Sequence, residues 1–274
     1  MSSVTDVFLI AHPRSGTHAV ASMLAANGDI QHIGEVFHIG SGEHRENYFH
    51  FLGALQSPFL ALPQNAHLRF QTYLGYLHHI WHGQRLLLDM KYDVLHLFDG
   101  PLREPHAPPD IFRLLREGGG PVVHLTRNLL HVCFSTLNAV ATEQWHVAGG
   151  EQPRTRQMTV DTDYVLAFLY QKHFEETHVR RYMDTLSNAI EVDYDAIFGA
   201  DNLGRQRLFE FLGISDRGLA PNFKKQINKP YSALIENYAE VVAAVKNSPF
   251  KTLLPEVEQL EAPVVATEAA CNEH

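Results

Sequence analysis

Five consecutive apolar residues, Val7–Ala11 (VFLIA), run directly into His12-Pro13-Arg14-Ser15-Gly16-Thr17-His18, and the small and apolar residues of His18–Ala26 follow. An unbroken apolar run of this length reads as a strand covered on both faces, which asks for helices above and below a parallel sheet. The polar turn that breaks it opens a helix, so backbone N–H groups converge on one spot. The helix end adds roughly half a unit of positive charge there. Gly16 lets the main chain approach a bound group closely. Arg14, Ser15 and Thr17 add side-chain donors, and Arg14 brings a full charge that helix capping alone does not require. The predicted feature is an anion site. It is not a Walker A loop, because no Gly-Lys-Ser or Gly-Lys-Thr occurs anywhere in the chain.

The rest of the chain alternates strand and helix patterns, which predicts an α/β fold with a largely parallel sheet. Leu86–Met90, Val122–Leu125 and Ala189–Val192 read as further strands. Leu129–Trp145, Asp161–Leu186, Leu208–Leu212 (stopping at Gly213) and Ala233–Val245 read as helices, while Gly40–Gln64 and Leu102–Pro109 are less regular. One domain over residues 1–274 is expected, with an acidic, small-residue tail from about residue 255.

With 31 Asp and Glu against 22 Lys and Arg, the formal charge is −9, which argues against nucleic acid as a partner. Any anion site must therefore be local. Two distant cysteines, Cys133 and Cys271, make no disulfide framework or zinc spacing. The N-terminus has no signal-peptide pattern, and no apolar run is long enough to span a bilayer, so a cytoplasmic protein without a transmembrane segment is expected. His78 and His82, four residues apart, have metal-compatible spacing but no acidic or cysteine partner nearby, and no metal is expected. Oligomeric state is not legible.

Three further features surround the turn. The run VVHLT leads into Arg127, a planar and permanently charged fork suited to phosphate, with Ser135 eight residues on. Gly34-Glu35 follows the first helix, and His38 lies three residues beyond it. Val192-Asp193-Tyr194-Asp195 is followed by LFEFLG at Leu208–Gly213, and Lys224-Lys225 comes later. Asp89-Met90-Lys91-Tyr92 ends a strand, so Lys91 either faces a cleft or is a plain surface lysine.

Taken in order, these motifs resemble the family of sulfotransferases that use 3′-phosphoadenosine 5′-phosphosulfate (PAPS), most nearly the bacterial carbohydrate and small-molecule type. The resemblance spreads over most of residues 5–250, and the two phosphate motifs are its specific part. It implies a three-layer α/β/α sandwich with a central parallel sheet, close to P-loop nucleotide kinases. It implies that Arg14, Ser15, Gly16, Thr17 and His18 cradle the 5′-phosphosulfate of PAPS, and that Arg127 and Ser135 hold the 3′-phosphate. Tyr194 and Lys225 would add to the nucleotide site. Glu35 would be the general base, with His38 competing and His12 and His18 as weaker candidates, and Arg14 would stabilise the leaving group. The implied reaction moves the sulfuryl group to a hydroxyl or amine of a carbohydrate or small-molecule acceptor without a metal. Arg14 departs from the Lys of the cytosolic eukaryotic branch, which leaves its contact with the bridging oxygen open. A degenerate P-loop kinase and a non-catalytic PAP- or PAPS-binding module remain the competing readings.

Overall fold

The structure is a computed structural model and describes residues 5–27, 30–41, 43–99, 107–145, 147, 151–199, 201–219, 227 and 229–259. Its strands are β1 (Val7–Ala11), β2 (Gln31–His32), β3 (Leu86–Lys91), β4 (Val122–Thr126) and β5 (Ala189–Asp193). Its helices begin with α1 (Thr17–Ala26), α2 (Tyr48–Ala54), α3 (Pro58–Ala61), α4 (Ala66–Ile80) and α5 (Asp110–Gly118). They continue with α6 (Leu129–Thr142), α7 (Thr162–Met183), α8 (Tyr194–Phe198), α9 (Leu203–Leu212), α10 (Tyr238–Lys246) and α11 (Leu254–Gln259). The chain divides into two compact units, residues 1–127 with 172–224 and residues 128–171 with 225–274.

The first unit holds the sheet. All pairings are parallel and the order is β2-β3-β1-β4-β5, with Ile10 opposite Met90 on one side and His124 on the other. Side chains alternate across the sheet. Phe8, Ile10, Leu86, Leu88, Met90 and Val122 pack with Phe70, Tyr73 and Leu77 of α4, Ile111 and Leu115 of α5, and Val179 and Met183 of α7. Val7, Leu9, Ala11, Leu87, Val123 and Leu125 pack with Val20, Met23 and Leu24 of α1, Ile197 of α8 and Leu208 and Phe209 of α9. Helices on both faces give this unit three layers. Leu9, Ile10, Leu87 and Leu88 are essentially inaccessible, and each such side chain contributes about 1.5–3 kcal/mol by leaving water. In the second unit a separate core gathers Leu130 and Phe134 of α6, Val165 and Leu169 of α7, and Val241 and Val245 of α10.

The elements begin and end for local reasons. The Asn47 side chain accepts from Phe49 N–H at the head of α2, and the Asp193 carboxylate accepts from Asp195 and Ala196 at the head of α8. Gly119 and Gly213 take left-handed conformations that close α5 and α9. Several elements differ from the sequence expectation. β3, β4 and β5 each run one residue further. The helix expected to reach Trp145 stops at Thr142, where Glu143 turns left-handed at φ +55°. The late helix starts at Tyr238, after a 3₁₀ turn at Tyr231–Ala233. The stretch expected to be irregular contains α2 and α3. Among the described residues no helix is long and apolar enough to cross a membrane.

The α8–α9 corner of the first unit depends on a close backbone approach. A Cβ at Gly204 would lie 2.6 Å from the Ala196 carbonyl carbon and 2.8 Å from its oxygen. Gly204→Ala should therefore lower stability by about 1–3 kcal/mol, the usual scale of an overpacked contact, seen as a lower urea midpoint. An unchanged midpoint would show that the two helices part at no cost.

Candidate active site

The turn between β1 and α1 is held in an uncommon shape. Arg14 sits at φ +67° and Gly16 at φ +86°. A non-glycine residue there costs about 1 kcal/mol or more, and such positions concentrate at functional sites. Gly16 is also fixed by packing, because a Cβ at this position would run into the Tyr194 ring. α1 starts with Gly16 as its cap residue, with no side-chain cap bond and no acidic residue in its first turn. Its first N–H groups lie beyond the reach of any helix carbonyl. No side-chain hydrogen bond from the cap residue therefore closes the head of this helix.

Cations from three segments gather around it. Arg127, just after β4, donates from Nη1 to the Arg14 carbonyl at 3.1 Å. Its guanidinium lies 4.6 Å from the centre of the Tyr194 ring. Its Nε is buried with no hydrogen-bond partner among the described residues. Burial and the neighbouring Arg127 lower the Arg14 guanidinium to about 10 against the opposing pull of Glu35, so it stays charged at neutral pH. Lys91, at the end of β3, is the third cation and is buried. Its ammonium donates to Thr17 Oγ1 at 2.5 Å and to the Asp89 carboxylate oxygens at 2.8 and 2.7 Å, and lies 3.2 Å from Glu35 Oε1. The surface-lysine reading is thus overturned. Residues 89 and 91 share a strand face, and that face looks onto the head of α1.

Glu35 lies in the segment after β2. The same Oε1 lies 3.4 Å from His18 Nε2. Burial alone would raise its pKa, but His18 and Lys91 together outweigh it and hold the carboxyl well below the usual carboxylate range. His32 packs edge-on to His18 with ring centres 5.7 Å apart. Burial, the largest influence, lowers its imidazole to about 4. His18, Glu35 and Asp89 bring ligand atoms within 4.8 Å of one another, a spacing a metal ion can use. The Lys91 ammonium already contacts both carboxylates.

Arg14, Gly16, Thr17, His18, Glu35, Arg127 and Tyr194 therefore come together, and Ser15 is buried within the turn. His38 is exposed, and its ring lies against Gly40. Ser135 is buried on α6 of the second unit. Lys224 and Lys225 lie outside the described residues. His78 meets the Asp6 carboxylate at 2.9 Å, whereas His82 lies beyond α4 at φ +51°, so the two do not share a helix face. Sequence reasoning gave no role to Asp89 or His32. The available signal for Asp89 was a lone acid inside an otherwise apolar buried strand, since such a charge needs a partner.

On the other sheet face His12, Tyr92 and His124 support the turn from below. The His12 ring lies 4.1 Å from that of Tyr92, and its Nε2 donates to the Lys172 carbonyl at 3.0 Å. Tyr92 bonds His124, whose Nδ1 lies 2.9 Å from Glu191 Oε2. Arg180 Nε donates to the same oxygen at 2.8 Å.

This fold and site define an α/β protein whose β1–α1 turn gathers cations at the carboxyl edge of a parallel sheet. No protein-family model matches the sequence, and no curated protein is similar to it. Among solved structures, it is similar to the mouse sulfotransferase SULT7A1 complexed with PAP, at 14% identity over 92% of this chain and 89% of that one, with a TM-score of 0.44. It is similar to the sulfotransferase domain of the curacin biosynthetic pathway, at 12% identity over 94% and 97% of the two chains, with a TM-score of 0.46. It is also similar to a sulfotransferase from Alicyclobacillus acidocaldarius, at 13% identity over 88% and 94%, with a TM-score of 0.44.

The support beneath the loop has a pH signature. His12 is 2% exposed, and burial, the largest influence, lowers its imidazole from 6.5 to about 4. The folded state therefore binds this proton less readily than the unfolded chain. The associated stability is complete above about pH 6.5 and is lost progressively as the pH falls towards 4. The melting temperature of the parent minus that of His12→Gln should be level above pH 6.5 and change only between 6.5 and 4. A difference that does not vary with pH would contradict the assignment.

Proposed function

We propose that this protein is a sulfotransferase that takes the sulfuryl group of PAPS and passes it to a hydroxyl of a small molecule or carbohydrate. The observation that carries this reading is the meeting of Arg14, Lys91 and Arg127 at the uncapped head of α1, with Glu35 on the Lys91 ammonium. A chain of charge −9 has concentrated three cations at one point, which suits a small polyanion. The sequence motifs around Arg14 and Arg127 select a 3′-phosphorylated donor over an ordinary nucleotide.

In this scheme the loop N–H groups and Arg14 hold the 5′-phosphosulfate. Arg127 takes the 3′-phosphate with its Nε edge, which has no partner among the described residues, and the Tyr194 ring packs against that guanidinium. Lys91 and Thr17 face the sulfuryl end. A new bond forms between the acceptor oxygen and sulfur while the bond from sulfur to the phosphate oxygen breaks. The electron pair leaves on that phosphate, where the helix end and Arg14 stabilise it. Glu35 takes the acceptor proton. The products are adenosine 3′,5′-bisphosphate and the sulfated acceptor. Catalysis is mostly positioning and charge stabilisation, as in phosphoryl transfer. In the free protein Glu35 is a weak base because His18 and Lys91 together hold its charge. An anionic sulfuryl group competing for the ammonium would raise its basicity when donor is present.

Incubation with PAPS and a panel of hydroxyl and amine acceptors, read by mass spectrometry for an added sulfonate, should yield a sulfated product and the bisphosphate. Binding of the bisphosphate without any product would favour a non-catalytic module, and a stronger response to ATP with magnesium would favour a kinase. Arg127→Ala should weaken adenosine 3′,5′-bisphosphate at least tenfold more than adenosine 5′-monophosphate, and equal losses would refute the 3′-phosphate assignment. Glu35→Gln should lower turnover roughly 10²-fold, the scale of a general base, with bisphosphate affinity retained. Unchanged turnover would remove Glu35 from the proton transfer.

A further inference from the structure

Asp89 has no role in the scheme above, yet it is among the most costly residues in the molecule to bury. It is 1% exposed, within a strand whose neighbours Leu87, Leu88 and Met90 are inaccessible. Both of its oxygens are committed to one group, the Lys91 ammonium. Replacing such a buried ion pair with apolar residues is often neutral or stabilising, so its presence is weak support for a role in stability. Its geometry points elsewhere. A lysine stem is long and flexible, and ordinarily extends until its charge meets water. Asp89, two residues back on the same strand face, draws the ammonium down beside the strand. There it meets Thr17 Oγ1 at the head of α1 and Glu35 Oε1 across the site. The three contacts define one position for the charge, and only the Asp89 pair comes from β3, an interior strand between β1 and β2.

We infer that Asp89 is a positioning residue for sulfuryl transfer, acting only through Lys91 by fixing where the ammonium stands relative to the sulfuryl group. The inference rests on the proposed reaction. It predicts a specific split. Adenosine 3′,5′-bisphosphate lacks the sulfuryl group, so its affinity should not depend on Asp89. Turnover should depend on it, because a displacement of about 1 Å in a reacting geometry can cost on the order of 10²-fold.

A double-mutant cycle tests this. Asp89→Asn should lower kcat roughly 10- to 100-fold, while the dissociation constant of adenosine 3′,5′-bisphosphate moves less than about threefold. In a Lys91→Met background the same Asp89→Asn change should alter the residual turnover less than about twofold, since residues acting as one unit are not additive. Losses that multiply would overturn the inference, as would bisphosphate affinity falling in step with turnover, which marks a merely structural role. Asp89→Glu keeps the charge but moves it by one methylene. It should reproduce the turnover loss with bisphosphate binding intact, and it serves if Asp89→Asn does not fold. Failure of both variants to fold would assign Asp89 to stability and overturn the inference. A parent enzyme that transfers no sulfuryl group overturns the reaction and this inference together. An active parent with multiplying losses overturns this inference alone.

Discussion

The ammonium of Lys91 stands where β3, the head of α1 and the segment carrying Glu35 meet, and the carboxyl end of the sheet is organised around it. A buried charge is tolerated only with close, well-aligned partners. Asp89 supplies two of them from the same strand. Thr17 ties the cation to the first turn of the helix, and Glu35 ties it to the loop beyond β2. Three pieces of chain far apart in sequence are thereby set to one origin. The left-handed turn at Arg14 and Gly16 completes the frame, with Arg127 and Tyr194 closing it from the β4 and β5 side.

This arrangement concentrates cations at one point of a chain whose net charge is −9. A general positive field is absent. Arg14, Lys91, Arg127 and the helix end are instead packed where little water screens them, so each interaction is stronger than at the surface. The carboxylates of Glu35 and Asp89 offset part of that charge, which keeps the cations from driving one another apart in the free protein.

Much of this was legible in the sequence. β1, the turn and α1 follow from an apolar run broken by HPRSGTH, and the parallel sheet follows from strands without polar alternation. Arg14 stood out as a charge that helix capping does not require, whereas Arg127 and Glu35 stood out through the resemblance to PAPS-dependent sulfotransferases. What escaped was set by contacts rather than by pattern. Two residues of β2 are too few to show a period. Lys91 looks like any lysine at a strand end until Asp89 is seen beside it. His32 carries no local mark and acquires its surroundings from His18. Glu143 ends α6 by a backbone reversal that its side chain does not announce. His38, three residues from Glu35, was the competing base on paper and is exposed.

The contact between Gly16 and the Tyr194 ring has a bearing on how the protein matures. Residue 16 opens the first helix, whereas Tyr194 follows the last strand, and the bond from Arg127 to the Arg14 carbonyl spans 113 residues. Contacts this distant along the chain form only after loop closure has been met elsewhere. A nascent chain can make β1 and α1 early and still have a slack, unshaped turn between them. On this ordering the turn takes its final shape only when β5 joins the sheet edge and brings Tyr194 against Gly16. By the same logic, fraying of that edge strand would loosen the turn while the rest of the sheet stayed intact.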